Sequence, residues 1–445
     1  MKERVIELMN EKKYTKVREE VIELNAIDIA ELLEELDTNN ALILFRMLPK
    51  DVSAEVFANL SNENQKYIIN AITDKEIQFI MDELFFDDMI DFLEEMPASV
   101  VKKIIKNTKE DERRLINQFL NYPANSAGSL MTIEYVGLKK EMTVKQAMEY
   151  IKRIGIDKET IYTCYVMDVN RKLEGIVSLR KLVVSDDDKT IEEIMDTGVI
   201  YVNTHDDQEE IAHVFKKYNF IALPVVDKEE RLIGIITIDD IVDVIEEENT
   251  EDFHKMAAME PSEEEYLETS VITLARKRIV WLMALMISAI FTGSIISKFE
   301  SVLQSVVALA AFMPMLMGTG GNAGAQSATL IIRGMALDEI ELSDIFKVIW
   351  KELRVSSLVG VLLSLVNFIR LYFFQHVDIR IAMVVCSTLI VVVILAKIVG
   401  GTLPIIAKTL KLDPAIMASP MITTIVDAVS LFVYFTMASR ILGIA

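Results

Sequence analysis

Arg276-Lys-Arg-Ile-Val-Trp-Leu-Met-Ala-Leu-Met-Ile-Ser-Ala-Ile-Phe-Thr-Gly-Ser-Ile-Ile-Ser297 divides the chain into two chemistries. Three basic residues precede Ile279 to Ser297, a run without a charge. As a helix it is about 28 Å long, enough to cross the hydrocarbon of a bilayer. Further apolar segments lie near 302–332, 355–374, 379–407 and 414–440. With 279–299 they predict a five-helix α transmembrane domain over residues 275–445. Arg276 to Arg278, then Lys347, Lys351 and Arg354, then Lys408 and Lys411 mark the cytoplasmic loops. The expectation is a multi-pass protein of the cell membrane with its N-terminal domains in the cytoplasm and its C-terminus outside.

Charge divides at the same place. From Val271 onward there are 14 Lys and Arg against 9 Asp and Glu, whereas residues 1–270 hold 32 against 59. Such an acidic part repels nucleic acid and concentrates cations near its surface. Cys164 and Cys386, one in each part, provide neither a disulfide framework nor a CxxC metal site. The N-terminal Met-Lys-Glu-Arg-Val-Ile-Glu-Leu-Met lacks the pattern of a signal peptide.

Residues 1–125 read as short amphipathic helices, and Asp28-Ile-Ala-Glu-Leu-Leu-Glu-Glu-Leu36 recurs as Asp88-Met-Ile-Asp-Phe-Leu-Glu-Glu-Met96, which predicts an all-α superhelical domain. Two similar halves follow. Ile161-Tyr-Thr-Cys-Tyr-Val-Met-Asp168 with Leu173-Glu-Gly-Ile-Val-Ser178 is matched by Ile221-Ala-Leu-Pro-Val-Val-Asp227 with Leu232-Ile-Gly-Ile-Ile-Thr237. This duplicated α+β unit resembles a tandem pair of cystathionine-β-synthase (CBS) domains, at 126–190 and 191–250. An acidic connecting helix is expected over 251–274.

The transport chemistry is expected in two segments. Gly318-Thr-Gly-Gly-Asn-Ala-Gly-Ala-Gln326 holds four glycines, which argues for a discontinuous helix beside a polar pathway, with close helix packing as the alternative. Asp427 stands in the middle of the last apolar segment, where an ionised carboxylate is unfavourable by about 3 kcal/mol and needs compensation. Arg370, Lys397 and Arg440 sit toward span ends by sequence and are expected to snorkel, which favours a cation in a wet cavity as the partner of Asp427, with a proton relay or a structural partner as the alternative. Pro420 is expected to free the carbonyl of Ile416. A hard ion that keeps its waters, Mg2+ above all, suits one carboxylate and carbonyls. His205, His213, His254 and His376 lie outside the spans, so Zn2+ is poorly served.

Over nearly the whole chain the sequence resembles the MgtE family of Mg2+ channels and transporters. The likeness rests on Tyr122-Pro-x-x-Ser-Ala-Gly-x-x-Met-Thr132, on Gly318-Thr-Gly-Gly-Asn-x-Gly-x-Gln-Ser-Ala-Thr-Leu330 and on Asp413-Pro-Ala-x-x-x-x-Pro-x-x-Thr-x-x-x-Asp427. It implies a homodimer whose pore Mg2+ is held by Asp427, the backbone carbonyl of Thr423 and nearby Asn322. It also implies closure by cytoplasmic Mg2+. Candidate regulatory ligands are then Asp87, Asp91, Asp207, Glu209, Asp240, Asp243, Glu248, Glu251, Asp252 and Asp413, with the 251–274 helix as plug. The resemblance places ATP at the first CBS domain, near Ser178 and Arg180, but Gly175-Ile-Val-Ser-Leu-Arg-Lys181 carries lysine where an acid would meet ribose hydroxyls.

Other functions fit less well. No G-x-x-x-x-G-K-[ST] loop supports an ATP-driven pump, and Asp188-Lys-Thr continues as Ile-Glu. An anion transporter would place Arg or Lys, not Asp, at the centre of the pathway. The chain is therefore read as a non-enzyme, a Mg2+ transporter, with transport of Mn2+ or Co2+, or a non-transporting Mg2+ sensor, as alternatives.

Overall fold

The computed structural model describes residues 2–262, 266–267, 269–417 and 419–444. It forms two compact units, 1–245 and 246–445.

Among the described residues of the first unit, ten helices run from Lys2–Asn10 to Glu110–Phe119. From Ala26 onward a new helix begins every twelve residues, at 26, 38, 50, 62, 74, 86, 98 and 110. The repeat seen between Asp28 and Asp88 is five of these periods. The local cause is a recurring stop: Leu36, Leu48, Ile72, Leu84 and Met96 each end a helix in extended conformation. The next residue then caps the following helix, as Asp37 does through Asn39 N and Asn40 N and Thr73 through a capping box with Glu76. Ile29, Leu33, Leu44, Phe57, Ile68, Ile77 and Ile90 from successive helices fill one continuous core.

The duplicated modules each form a three-stranded sheet. In the first, β1 (Val136–Leu138) is parallel to β2 (Thr163–Met167), which pairs antiparallel with β3 (Leu173–Ser178). In the second, β4 (Val202–Asn203), β5 (Ala222–Val226) and β6 (Leu232–Thr237) repeat that order. Pro224 is tolerated in the central strand because the short β4 reaches only Val225 and Val226. The sheets exchange their edges. Thr132, ahead of the first module, exchanges backbone hydrogen bonds of 2.8 and 2.9 Å with Ile235 of β6, and Asp196, ahead of the second, does the same with Ile176 of β3 at 2.9 Å. The glycine of each Gly-x-x-Ser/Thr motif makes room for this crossing. A Cβ on Gly234 would press on the Thr132 carbonyl, and one on Gly175 would lie 2.9 Å from Met195 Sδ.

Helix α1 (Phe86–Glu95) carries Asp87, and α2 (Ile238–Met256) leaves β6 and ends at the start of the second unit. The expected helix over 251–274 is corrected. Helix α2 stops at Met256, the chain turns through Ala258 at φ +54°, and α3 (Val271–Lys298) begins anew. Pro261 explains the interruption, since it disfavours helical backbone at Glu260. Glu263 to Glu265 and Glu268 of the expected helix lie outside the described residues.

The second unit continues with α4 (Met313–Ala336), α5 (Ile345–Ile369), α6 (Ile379–Thr409) and α7 (Ser419–Leu442). Among the described residues four helices are long and apolar enough to cross a membrane, over Val271–Lys298, Leu342–Phe374, Ile379–Thr409 and Pro414–Leu442. The segment expected at 302–332 is indeed discontinuous, but the break is not at the glycines. It falls at Val306 and the 3-10 turn Val307–Phe312, whereas α4 runs unbroken through Gly318 to Gln326. Here packing overrides propensity: α4 lies against α6 and α7 so closely that a Cβ on Gly400 would overlap the Gly324 carbonyl, and one on Gly324 would sit 2.7 Å from Ile422.

Gly400→Val should therefore lower the stability of the detergent-solubilised protein by about 2 kcal/mol through overpacking. Gly318→Ala, with open space around its Cβ, should not lower it and should raise it by up to about 1 kcal/mol through helix propensity. Thermal unfolding of the two variants checks the pair.

Candidate functional site

In the membrane unit the site is built on α4 and α7. Thr423 and Asp427 are one turn apart on the same face of α7, and both are half-buried. Asp427 Oδ1 and Ser430 Oγ are buried without a hydrogen-bond partner among the described residues. Opposite them, Gly320 and Gly321 bring α4 close: a Cβ on Gly320 would lie 2.9 Å from Ser430 Oγ, and one on Gly321 2.9 Å from Thr423 Cγ2. Asn322 is the next residue and is exposed, as is Gln326 one turn on. An orphaned carboxylate oxygen beside a carboxamide helix and a threonine is an arrangement of hard oxygen ligands, suited to a hydrated divalent cation. The role expected of Pro420 is corrected. Helix α7 begins at Ser419, so Pro420 sits in its first turn, where no intrahelical N–H bond exists to lose. The Pro420 carbonyl accepts from Thr424 Oγ1 at 2.9 Å.

Lys397 is also corrected. It does not snorkel: it is 6 % exposed in the interior of α6, 3.3 Å from Ser327 Oγ. Ser327 in turn donates to Glu352, a second buried acid that the sequence reading passed over because Lys347, Lys351 and Arg354 beside it read as a cytoplasmic loop.

In the first unit, α1, the start of the first CBS domain and the start of α2 bring carboxylates together. Asp87 is buried, and burial followed by the Asp240, Asp88 and Glu159 charges pushes its carboxyl well above the usual range. Asp88 is raised to about 6 by desolvation and by Asp239 and Glu134. Glu159 rises to about 7 by desolvation and the charges of Asp239, Asp240, Asp88 and Glu134. Asp240 also rises to about 7, desolvation outweighing its 2.9 Å hydrogen bond from Thr237 Oγ1. The structure thus joins Asp87 and Asp240 of the expected ligands and adds Asp88, Glu134, Glu159 and Asp239. Asp88 and Asp239 adjoin the expected Asp87 and Asp240, whereas Glu134 and Glu159 come from two further segments that no local spacing links to them. Among the described residues no three His, Cys, Asp or Glu side chains converge as direct ligands of one metal ion. The cluster is an electrostatic basin rather than a closed cage.

The remaining candidates are dispersed. Asp91 is exposed on α1, one turn beyond Asp87. Asp207 caps the helix Gln208–Tyr218 by accepting from Glu209 N at 3.0 Å, and Glu209 lies 4.0 Å from His213. Asp243 is exposed and Glu248 half-buried on α2. In the second unit Asp252 is half-buried, while Glu251 and Asp413 converge on one ammonium: Lys255 Nζ pairs with both, at 2.6 Å from Asp413 Oδ2. Burial opposes the Lys255 charge, yet hydrogen bonds to Asp413 and Glu251 hold its pKa above the usual lysine range. Asp413 Oδ1 also accepts from Ala415 N at 2.8 Å.

A cleft of about 810 Å³ opens between the CBS sheets, lined by Tyr162, Arg180, Tyr218, Phe220 and Pro224 among others. Ser178 is at its edge and caps the following helix through Lys181 N. The Tyr165 hydroxyl at its wall is fully buried without a partner. Lys181 pairs with Asp196 at 2.9 Å and does not line the cleft.

Comparison with known proteins agrees with this division. The MgtE family profile, described as a divalent cation transporter, matches residues 313–437, the MgtE intracellular N domain matches 24–125, and CBS domains match 127–186 and 191–247. The "Magnesium transporter MgtE" of Thermus thermophilus is 37 % identical over 431 residues, covering 96 % of this chain and 95 % of the relative. That of Bacillus subtilis is 33 % identical, with 98 % and 96 % covered. Among solved structures, the cytosolic domain of the Mg2+ channel MgtE in complex with ATP superposes with a TM-score of 0.53 at 35 % identity, covering 55 % of this chain and all of that one. Family profiles over the helical, CBS and membrane parts, with relatives matched over nearly the whole chain, make the chain a member of the MgtE family, a family of transporters rather than enzymes.

Proposed function

We propose that the chain conducts Mg2+ inward across the cell membrane as a homodimer and is closed from the cytoplasmic side by Mg2+ itself. The observation that carries the reading is Asp427 Oδ1, buried in a helix long and apolar enough to span a membrane and without a hydrogen-bond partner among the described residues. A two-fold axis would place two such carboxylates around one hydrated ion, with the Thr423 carbonyl and Asn322 as further oxygens. Helix α4 is then the fifth crossing, and α3, which buries none of its residues in its own unit, is free to meet lipid or the second copy. Five crossings put the C-terminus outside.

The gate follows from the same electrostatics. Without a cation, burial and the neighbouring charges favour protons on Asp87, Asp88, Glu159 and Asp240. Mg2+ replaces those protons and holds the acidic surfaces together. Glu251 and Asp413 meet a tethered ammonium instead, so Lys255 supplies part of the closing charge. The CBS cleft fits a nucleotide: aromatic walls for a base, Arg180 for phosphate and the unpartnered Tyr165 hydroxyl as a further polar contact. Such a ligand would add regulation by adenine nucleotide, without an acid at Lys181 to bind ribose.

Asp427→Asn keeps the size of the side chain and removes its charge, and should reduce Mg2+ entry into proteoliposomes about a hundredfold while the protein stays folded. Entry equal to that of wild type would refute the pore assignment. The raised carboxyls give a second prediction. Groups whose folded pKa exceeds the unfolded value near 4 favour the folded unit when protonated, so the metal-free protein should lose stability as pH rises from about 4 through about 7. Mg2+ should reverse that loss. Calorimetric titration with Mg2+ at about pH 7, in buffers of different ionisation heat, should show release of about one proton, vanishing near pH 8.5 and reduced in Asp240→Asn. No release at pH 7 would disconnect the cluster from the metal.

A further inference from the structure

Three side chains from three helices meet where α4, α5 and α6 pack. Ser327 of α4 donates its hydroxyl to Glu352 Oε2 of α5 at 2.7 Å, and Lys397 Nζ of α6 donates to Ser327 Oγ at 3.3 Å. Ser327 is 0 %, Lys397 6 % and Glu352 8 % exposed. A carboxylate and an ammonium in such a setting are both unfavourable unless each is hydrogen-bonded and their charges offset. A hydroxyl that accepts from one and donates to the other meets both demands. Gly401, one turn beyond Lys397, lets α6 approach: a Cβ there would lie 3.1 Å from Glu352 Cγ.

The triad lies on a different side of α4 from Asn322. Ser327 is five residues beyond Asn322, which is about 140° round α4 and about 7.5 Å along it. Elsewhere α4 meets α6 and α7 through Gly320, Gly321 and Gly324. Such faces fix the approach of the helices by close steric fit but make no directional polar contact. Hydrogen bonds to two charged groups are directional and supply what the glycines lack. We infer that Lys397, Ser327 and Glu352 are positioning residues that fix the rotation of α4 and so present Asn322 beside Thr423 and Asp427. This rests on the pathway reading of Asp427, and nothing passes through the triad itself.

The test is Mg2+ entry into proteoliposomes measured against Mg2+ concentration, with Asp427→Asn in parallel. Ser327→Ala removes one oxygen. It should raise the apparent half-saturation for Mg2+ about fivefold to tenfold, with a much smaller fall in maximal flux. Lys397→Met leaves the Glu352 carboxylate without its cation and should impair entry more. Lys397→Met combined with Glu352→Gln removes both charges and keeps an acceptor for Ser327, and should recover most of the loss. A merely structural contact would not give this split with rescue. Ser327→Ala with wild-type half-saturation, or a double variant no better than Lys397→Met, overturns the inference. Loss of the folded protein in Ser327→Ala, seen by size exclusion, also overturns it by making the triad a stability element. If Lys397→Met alone does not fold, Ser327→Ala decides. The two readings fail separately: an active Asp427→Asn removes the pathway assignment, whereas an inactive Asp427→Asn with an unaltered Ser327→Ala removes only the triad.

Discussion

A bilayer offers no water to a polar group, and the membrane unit is organised by that constraint. Its backbone groups are satisfied within long helices, and its buried side chains mostly find partners: Tyr434 donates to the Leu309 carbonyl at 3.0 Å, Ser364 to the Cys386 carbonyl at 3.0 Å, and Lys397 and Glu352 share Ser327. Against that background an unpartnered oxygen on Asp427 is informative. A fold that satisfies a buried lysine could have satisfied a buried aspartate. On the proposed reading, that oxygen is where a cation from outside the chain would bind.

The cytoplasmic part works under the opposite condition, with water present and like charges in excess. Desolvation is the first cause of every raised carboxyl in the cluster, and neighbouring carboxylates add to it. The crowding stores unfavourable energy in the cation-free state, and the segments that carry it belong to the helical domain, the first CBS domain and the base of α2. A cation bound there would be felt by all three, because each contributes charge that the others must tolerate.

Much of this was legible in the sequence, and the failures have physical causes. Hydropathy located the long helices, because a charge-free run leaves few alternatives to a span. Asp427 was legible because it stands alone in such a run. The helical superdomain was visible through one recurrence, Asp28 and Asp88, but the twelve-residue period was not, since it is set by single apolar stop residues rather than by a conserved phrase. Gly318 to Gly324 misled: glycine lowers helix propensity, and only the partners at Gly400, Ile422 and Val426 make a continuous helix the better outcome. Lys397 misled because position along a helix does not say which side faces a neighbour. Glu352 was missed because adjacent basic residues gave its segment the look of a surface loop. The carboxylate cluster is assembled from residues far apart in sequence, and no periodicity encodes that.

The exchange of edges between the two CBS sheets has an architectural result. Thr132 completes the second sheet and Asp196 the first, so neither half of the duplication owns all of its own hydrogen bonds. Once a duplicated gene had settled into this crossed arrangement, loss of one copy would have left the other with an open edge. The pair is for that reason a single heritable piece. Cut down to one repeat, it would leave a sheet edge without the backbone partner that the other half now supplies.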